Sequence, residues 1–409
     1  MKLTLRQQIT QFAHTLQSRL FPVLEEELGE LTDSAKRLVA TLEMVPLARF
    51  VPSSGAWIGR PSKDRYAIAC AFVAKAVYGF STTRQLLEAL ERDAQLRRIC
   101  GWQSARRVPH ESTFSRAFAE FSHMELPQFV HQALIAETQQ DRLIGHIARD
   151  STAIAAREQY PETPAQAAAR KAARKAARRA ELAAARSGRK PRRRGPHPRY
   201  KGGKKPYVPS SDTRLQRQRH MTLEQMLADL PRQCDMGAKT NSKGNVEYWR
   251  GYKLHLDVAD GQIPISAVLT SASVHDSQVA IPLATMSTKR VTYLYELMDS
   301  AYDACHIKQQ SSALGHVCIV DPKTPAGAKK KEEAIQKEEA IPVGARPRQL
   351  SWAEAARYRE RTMVERVNGR LKDEFGGRQV RVRGAAKVMA HLMFGVLALT
   401  ADQILRLIR

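Results

Sequence analysis

Apolar positions recur at helical spacing through the first 140 residues, in Ile9, Phe12, Leu16 and Leu20 and again in Leu86, Leu87, Leu90 and Leu96. The segment therefore reads as helical throughout. Within it, Pro109-His110-Glu111-Ser112-Thr113-Phe114 offers Ser112 or Glu111 as the cap of a helix running through Phe118 and Phe121. The order helix, short helix, turn, helix lies beside Arg84, Arg97, Arg98, Arg106, Arg107 and Arg116. It suits a helix-turn-helix-like DNA grip and, equally, a helical bundle with a basic surface.

The period then changes. A short strand, Ile144 to Arg149, ends in Asp150-Ser151-Thr152. From Tyr252 to Val258 apolar residues alternate with Lys253, His255 and Asp257, Asp260-Gly261 turns the chain, and Ile263 to Leu269 returns, which predicts a β-hairpin. A helical patch from Gln278 to Met286 leads to a strand, Val291 to Met298, that ends at Asp299, and a helix from about Tyr302 leads to another, His316 to Val320, that ends at Asp321. After a polar excursion at 323–347, the pattern predicts one long helix from Trp352 to Phe375 and a second, apolar-rich one from Ala385 to Ile408. This order is that of an α/β core with a mixed sheet. The expected organisation is a helical N-terminal DNA-binding domain (1–140), the first core strand (141–156), a basic insert rich in Ala, Arg, Lys and Pro (157–247), and the remainder of the core with the C-terminal helices (248–409).

Charge adds a partner to this outline. The 409 residues carry 66 Lys and Arg against 41 Asp and Glu, a net charge of +25, which calls for a polyanion. Between Arg157 and His220 alone there are 20 Lys and Arg against four acids, so most of the charge is local. Pro164 to Arg186 is nearly all Ala, Arg and Lys, with Leu182 as the sole large apolar residue, so a helix there has nothing to bury. Arg170, Arg174 and Arg178 form one line along it, and Lys171, Lys175 and Arg179 the adjacent line. Ser187 to Tyr207, with Arg192, Arg193 and Arg194 among prolines and glycines, reads as an extended arm suited to following a phosphate backbone or entering a minor groove. A solvated charge run is the plainer alternative. Five scattered cysteines suggest neither a disulfide framework nor a zinc ribbon, and no signal-peptide core opens the chain. The expectation is a soluble cytoplasmic protein with no membrane partner.

Candidate chemistry begins with Asp150 and Asp299. A carboxylate at the carboxyl end of a strand lies where open α/β sheets bind ligands, and two on neighbouring strands can share metal ions. Asp321, Asp257, Asp276 and Asp303 are alternatives, and a strand-end Asp is often only a cap. The long helix adds Tyr358, Arg361, Glu365, Asn368 and Lys372, which at about 100° per residue fall within an arc of about 80°. Met363, Val364, Val367, Leu371 and Phe375 fill the adjoining arc and would pack the helix on the sheet, leaving Glu365 at the edge of the buried face. A surface helix with ordinary ion pairs is the competing account.

The spacing of Tyr358, Arg361, Glu365 and Lys372 resembles the signature of the insertion-sequence transposases of the family named for insertion sequence four. Tyr248-Trp249-Arg250-Gly251-Tyr252-Lys253-Leu254-His255, His275-Asp276-Ser277, Asp299 with Tyr302-Asp303, and Arg383-Gly384-Ala385 resemble the same group. The likeness covers about residues 62 to 409, apart from the basic insert. It implies a ribonuclease H-like fold whose catalytic and metal-binding acids are Asp150, Asp299 and Glu365. It also implies two Mg²⁺ ions, for which Mn²⁺ substitutes, and DNA contacts from Tyr358, Arg361, Lys372 and Asn368. The implied function is a DDE transposase that binds terminal inverted repeats, cleaves the element ends and joins the 3′-hydroxyls to target DNA as a homodimer or larger assembly in the bacterial cytoplasm. A non-catalytic DNA-binding protein and a ribonuclease H-like nuclease are the alternatives.

Overall fold

The computed structural model describes residues 5–51, 64–158, 213–240, 245–321 and 350–407, together with parts of a helix between 168 and 183. Its axis is β1 (Leu143–Ala155), in a six-stranded mixed sheet. On one side β5 (Thr292–Met298) runs parallel to β1, and β6 (Val317–Val320) parallel to β5. On the other side β3 (Val246–Ala259) is antiparallel to β1 along its whole second half. The far edge of β3 is shared end to end: β2 (Asp235–Thr240) pairs with Val246 to Gly251, and β4 (Ile263–Ser271) with Tyr252 to Ala259. The sheet is the mixed α/β sheet expected of a ribonuclease H-like core.

Local chemistry explains the turning points. Gly251, at φ +151°, marks the place where β3 changes partner, and a Cβ there would collide with the Ile154 carbonyl and the Ala156 nitrogen. The expected hairpin is present, its turn carrying Gly261 at φ +83°. Asp260 in that turn accepts from the backbone N–H of Gly145 (2.8 Å) and of His146 (2.9 Å), tying the hairpin to the start of β1.

Successive residues of β1 point to opposite faces of the sheet. The helix Ser277–Thr288 packs on the face to which Arg149 points, and Thr362–Asp373 on the face of Asp150. The C-terminal helix Ala385–Arg406 is long and apolar enough to cross a membrane, yet it is buried in protein over most of its length. Around it pack α3 (Asp33–Met44), α4 (Arg65–Val77), α7 (Glu111–His123) and α8 (Leu126–Gln139). Phe72 of α4 meets Phe118 of α7 at 4.9 Å and Phe394 of the C-terminal helix at 5.7 Å between ring centroids. The apolar core is contiguous from Ile9 to Ile404, so the N-terminal helices and the sheet share one interior.

Four expectations change. The cap of α7 is His110, whose Nδ1 accepts from the Ser112 N–H, because His110 is held extended behind Pro109 while Glu111 and Ser112 are already helical. The long helix is interrupted: Trp352–Tyr358 and Thr362–Asp373 are joined by a 3₁₀ turn, Arg359–Arg361. The sheet also claims the end of the expected insert. From Thr213 onward, helices Arg214–Gln218 and Leu223–Asp229 pack on Ser277–Thr288, and β2 joins β3. Finally, β1 continues past Asp150. Of the basic helix, Lys171, Lys175, Arg178 and Arg179 are helical and exposed, as a helix with nothing to bury must be. Arg170, Arg174, Arg192, Arg193, Arg194 and the 323–347 excursion lie outside the described residues.

Candidate active site

Asp150 occupies the middle of β1 because β3 goes on pairing with that strand as far as Ala155. β5 stops earlier, at Met298, which pairs with Arg149, so Asp299 is the next residue in register with Asp150. Neighbouring strands lie about 4.8 Å apart and in-register residues share a face, which makes the two carboxylates neighbours. Burial lifts the Asp150 carboxyl to a pKa of about 6; the Ser151 N–H opposes it, the Asp299 charge adds to it, and Lys239 and Arg361 draw it back. Asp299 accepts from the Ala301 N–H at 2.9 Å and so caps the 3₁₀ turn Ser300–Tyr302.

The helical stripe approaches this pair. Asn368, buried, donates Nδ2–H to Asp150 Oδ2 at 3.4 Å, while its own Oδ1 is buried without a partner. Lys372 is close enough to feel Asp150, although burial, Arg378 and Lys239 lower its pKa. Arg361 lies 5.7 Å from the centroid of the Tyr358 ring. Burial pushes the Tyr358 hydroxyl up to about 12, Arg361 opposes this, and Asp321, Asp299 and Glu365 reinforce it. Tyr358, Arg361, Asn368 and Lys372 are therefore brought to the side of the sheet that carries the two aspartates.

Glu365 is the exception. Its Oε1 accepts from Arg361 Nη2 at 2.5 Å, and its side chain is 51% exposed rather than held at the edge of the buried face. Among the described residues no three His, Cys, Asp or Glu side chains stand close enough to hold a metal ion together. The physical reason is the (i, i+4) ion pair along the helix, which turns the carboxylate toward its own cation.

Three of the four rival carboxylates are answered by protein cations, and the fourth, Asp321, is exposed beyond the end of β6. Asp257 takes two hydrogen bonds from Arg149 (2.8 and 2.9 Å), Asp276 pairs with Lys253 at 2.9 Å, and Asp303 with Lys308 at 2.5 Å. Among the described residues neither Asp150 nor Asp299 has such a pair. The two carboxylates thus offer hard oxygen donors with unneutralised charge, a donor set that suits a divalent cation such as Mg²⁺.

Sequence reasoning missed three contributors. Lys239 lay in what read as insert. Tyr302, quoted behind Asp299 but given no role, is fully buried, its hydroxyl has no hydrogen-bond partner among the described residues, and it lies in the fields of Asp276, Asp150 and Asp299. Arg149 sits beneath the site between Asp257 and Glu296 (3.3 Å), with Ser287 donating to Asp257 at 2.7 Å and Tyr293 to Glu296 at 2.7 Å. The available signal was an Arg inside an apolar strand, with Asp257 in register on β3 and Glu296 two residues before the in-register Met298 on β5.

A mixed α/β sheet that presents two in-register aspartates to a helix rich in polar groups is consistent with a DDE domain. Two family comparisons agree with that class: the Transposase DDE domain matches residues 212–401, and the Transposase domain (DUF772) matches residues 26–120. Over these two segments the chain is thus similar to transposase domains. The first match begins after β1, so it includes Asp299 and Glu365 but not Asp150, which strand register places beside Asp299. No curated protein matches the chain.

Proposed function

We propose that the protein is an insertion-sequence transposase that binds the terminal inverted repeats of its element, cleaves DNA at the ends and joins the 3′-hydroxyls to target DNA. The observation that carries this reading is the register of Asp150 with Asp299, two carboxylates without an ion pair among the described residues, on adjacent parallel strands beneath the turn bearing Arg361 and the helix bearing Lys372. Asp150 and Asp299 would hold the divalent ions, with Glu365 joining them on release from Arg361. Two such ions, when bound, activate the attacking oxygen and stabilise the leaving one.

The chain's own residues prepare that chemistry. Asn368 fixes the rotamer of Asp150. Arg361, once freed, offers a planar fork to a phosphate, and Lys372 a point charge beside it. Tyr358 lies against Arg361 and limits its orientations. The exposed Lys171, Lys175, Arg178 and Arg179 add sequence-independent grip on the backbone, and the undescribed Arg170, Arg174, Arg192, Arg193 and Arg194 extend it. Joining two ends requires two chains, one per end, working in the cytoplasm at the nucleoid.

The test is end-specific nicking of labelled DNA in Mg²⁺ or Mn²⁺ by wild type and by Asp150→Ala, Asp299→Ala and Glu365→Ala. Nicking by wild type and its loss in all three supports the reading; nicking that survives any of the substitutions removes that residue from the site. The Arg361–Glu365 pair favours a second reading, a DNA-binding protein that does not cut, and wild type that binds the ends without nicking them would establish it.

A further inference from the structure

A second concave site lies beyond the acidic one, where α4, α7, the segment after Phe375 and the start of the C-terminal helix meet around a cavity of about 400 Å³. Its floor is aromatic, with Phe72, Phe118 and Phe394 in mutual contact. Its rim is cationic: Arg157, Arg381, Arg383 and Lys387. The one acid in the lining, Glu111, lies 3.8 Å from Arg84.

Lys75 is the telling residue. It lies within the apolar face of α4, is only 8% exposed and lines the cavity, and no carboxylate or hydrogen-bond acceptor among the described residues meets its ammonium. Burial alone lowers its pKa to about 8. His391 on the same wall donates Nε2–H to the Gly376 carbonyl (3.1 Å), and burial, then Lys75, push it down to about 3, so it stays neutral and leaves the cation unanswered. An unpaired ammonium in an apolar wall is costly unless a ligand completes it.

We infer that this cavity binds a nucleotide unit, its phosphate held by Lys75 and the arginine rim and its base laid on the phenyl floor. A bare phosphate would fill only part of the volume, whereas one base and one phosphate occupy it, with the base over the apolar wall that the packed phenyl rings back. The unit has two possible sources, a free mononucleotide or an unpaired nucleotide of a DNA strand. The second rests on the DNA-cleaving reading above; the cavity chemistry does not.

The experiment measures binding of three probes to the full chain by fluorescence anisotropy and competition: a blunt duplex, the same duplex with an unpaired 3′ extension, and deoxynucleoside monophosphates, with inorganic phosphate as control. A strand source gives tighter binding of the extended duplex, and a free source gives competition by monophosphates but not by phosphate. In either case Lys75→Met lowers the responding affinity about tenfold, the scale of one charge-assisted hydrogen bond. Should Lys75→Met fail to fold, Arg381→Gln with Arg383→Gln, both exposed, tests the same cavity. Equal binding of the two duplexes together with no competition by monophosphates overturns the proposal, as does an unchanged affinity in both variants. Nicking of the same duplex by wild type and Asp150→Asn is assayed in parallel: a wild type that does not nick defeats the cleavage reading, nicking that survives the substitution removes Asp150 from the site, and either leaves the cavity result standing.

Discussion

Arg149 and Asp150 are consecutive residues of one strand and face opposite worlds. Below the sheet, Arg149 is enclosed with Asp257 and Glu296 and bonded to both: against burial, its charge holds Glu296 below the usual carboxylate range, whereas at Asp257 burial outweighs it and leaves the carboxyl raised. Above it, Asp150 stands beside Asp299 with a weak bond from Asn368, an amide oxygen without a partner among the described residues and a carboxyl pushed up to about 6. The lower cluster holds its own cation in contact with both acids, even with Glu296 Oε2 lacking a hydrogen bond, whereas the upper pair has no ion pair among the described residues. That contrast separates acids that hold the fold from acids that await a ligand.

The largest effect should come from breaking the lower cluster. Arg149→Met leaves two buried acids without a cation and is expected to cost about 3–5 kcal/mol, read as a lowered denaturation midpoint. A loss under about 1 kcal/mol would mean the network is not a structural element. Asp150→Asn should act in the opposite direction, stabilising the chain by about 2 kcal/mol at pH 7 in EDTA. The sign follows from a folded-state pKa above the unfolded one, so the penalty of the charged carboxylate is complete above pH 6 and disappears as pH falls through 6 towards 3.8. A variant no more stable than wild type at pH 7, or a gain that persists at pH 3.5, would refute the assignment.

Divalent cation sharpens the contrast further. At ten times its Kd, Mg²⁺ or Mn²⁺ should stabilise wild type by about 1.4 kcal/mol in calorimetry, release protons near pH 6 and leave Asp150→Asn unmoved. Equal stabilisation of the two proteins would place the ion elsewhere. The smallest change is expected for Glu365→Gln, which removes a half-exposed helical ion pair and should alter stability by under about 0.5 kcal/mol. The same substitution should lower nicking at least about hundredfold, so a residue that matters little to the fold would matter greatly to the reaction.

The hairpin, the parallel strands and the apolar C-terminal helix were legible because each obeys a local period. Asp299 was legible because β5 stops there. The extension of β1 beyond Asp150 was not, since the pairing that sustains it comes from β3, some hundred residues on. For the same reason β2 and Lys239 passed as insert: their strand exists only against Val246 to Gly251. The stripe of Tyr358, Arg361, Asn368 and Lys372 followed from spacing alone. The state of Glu365 did not, because a helical period gives the face of a side chain and says nothing of which cation on that face claims it.

The tip of β1 is a graft point. Just past it, Glu158 is bonded to the Tyr252 hydroxyl and the Gly384 N–H, and its carbonyl accepts from the Cys234 thiol. Further along the chain, Thr213 caps its helix with Gln216, and the Arg214 and Gln218 that follow are tied to Asp229 and Gln278. Stock and scion are thus secured on either side of the union, so the basic segment 159–212, with 16 Lys and Arg against three acids, can be lengthened, trimmed or exchanged while the two aspartates keep their places. In an evolving lineage, the basic segment and the acidic site become separately heritable traits.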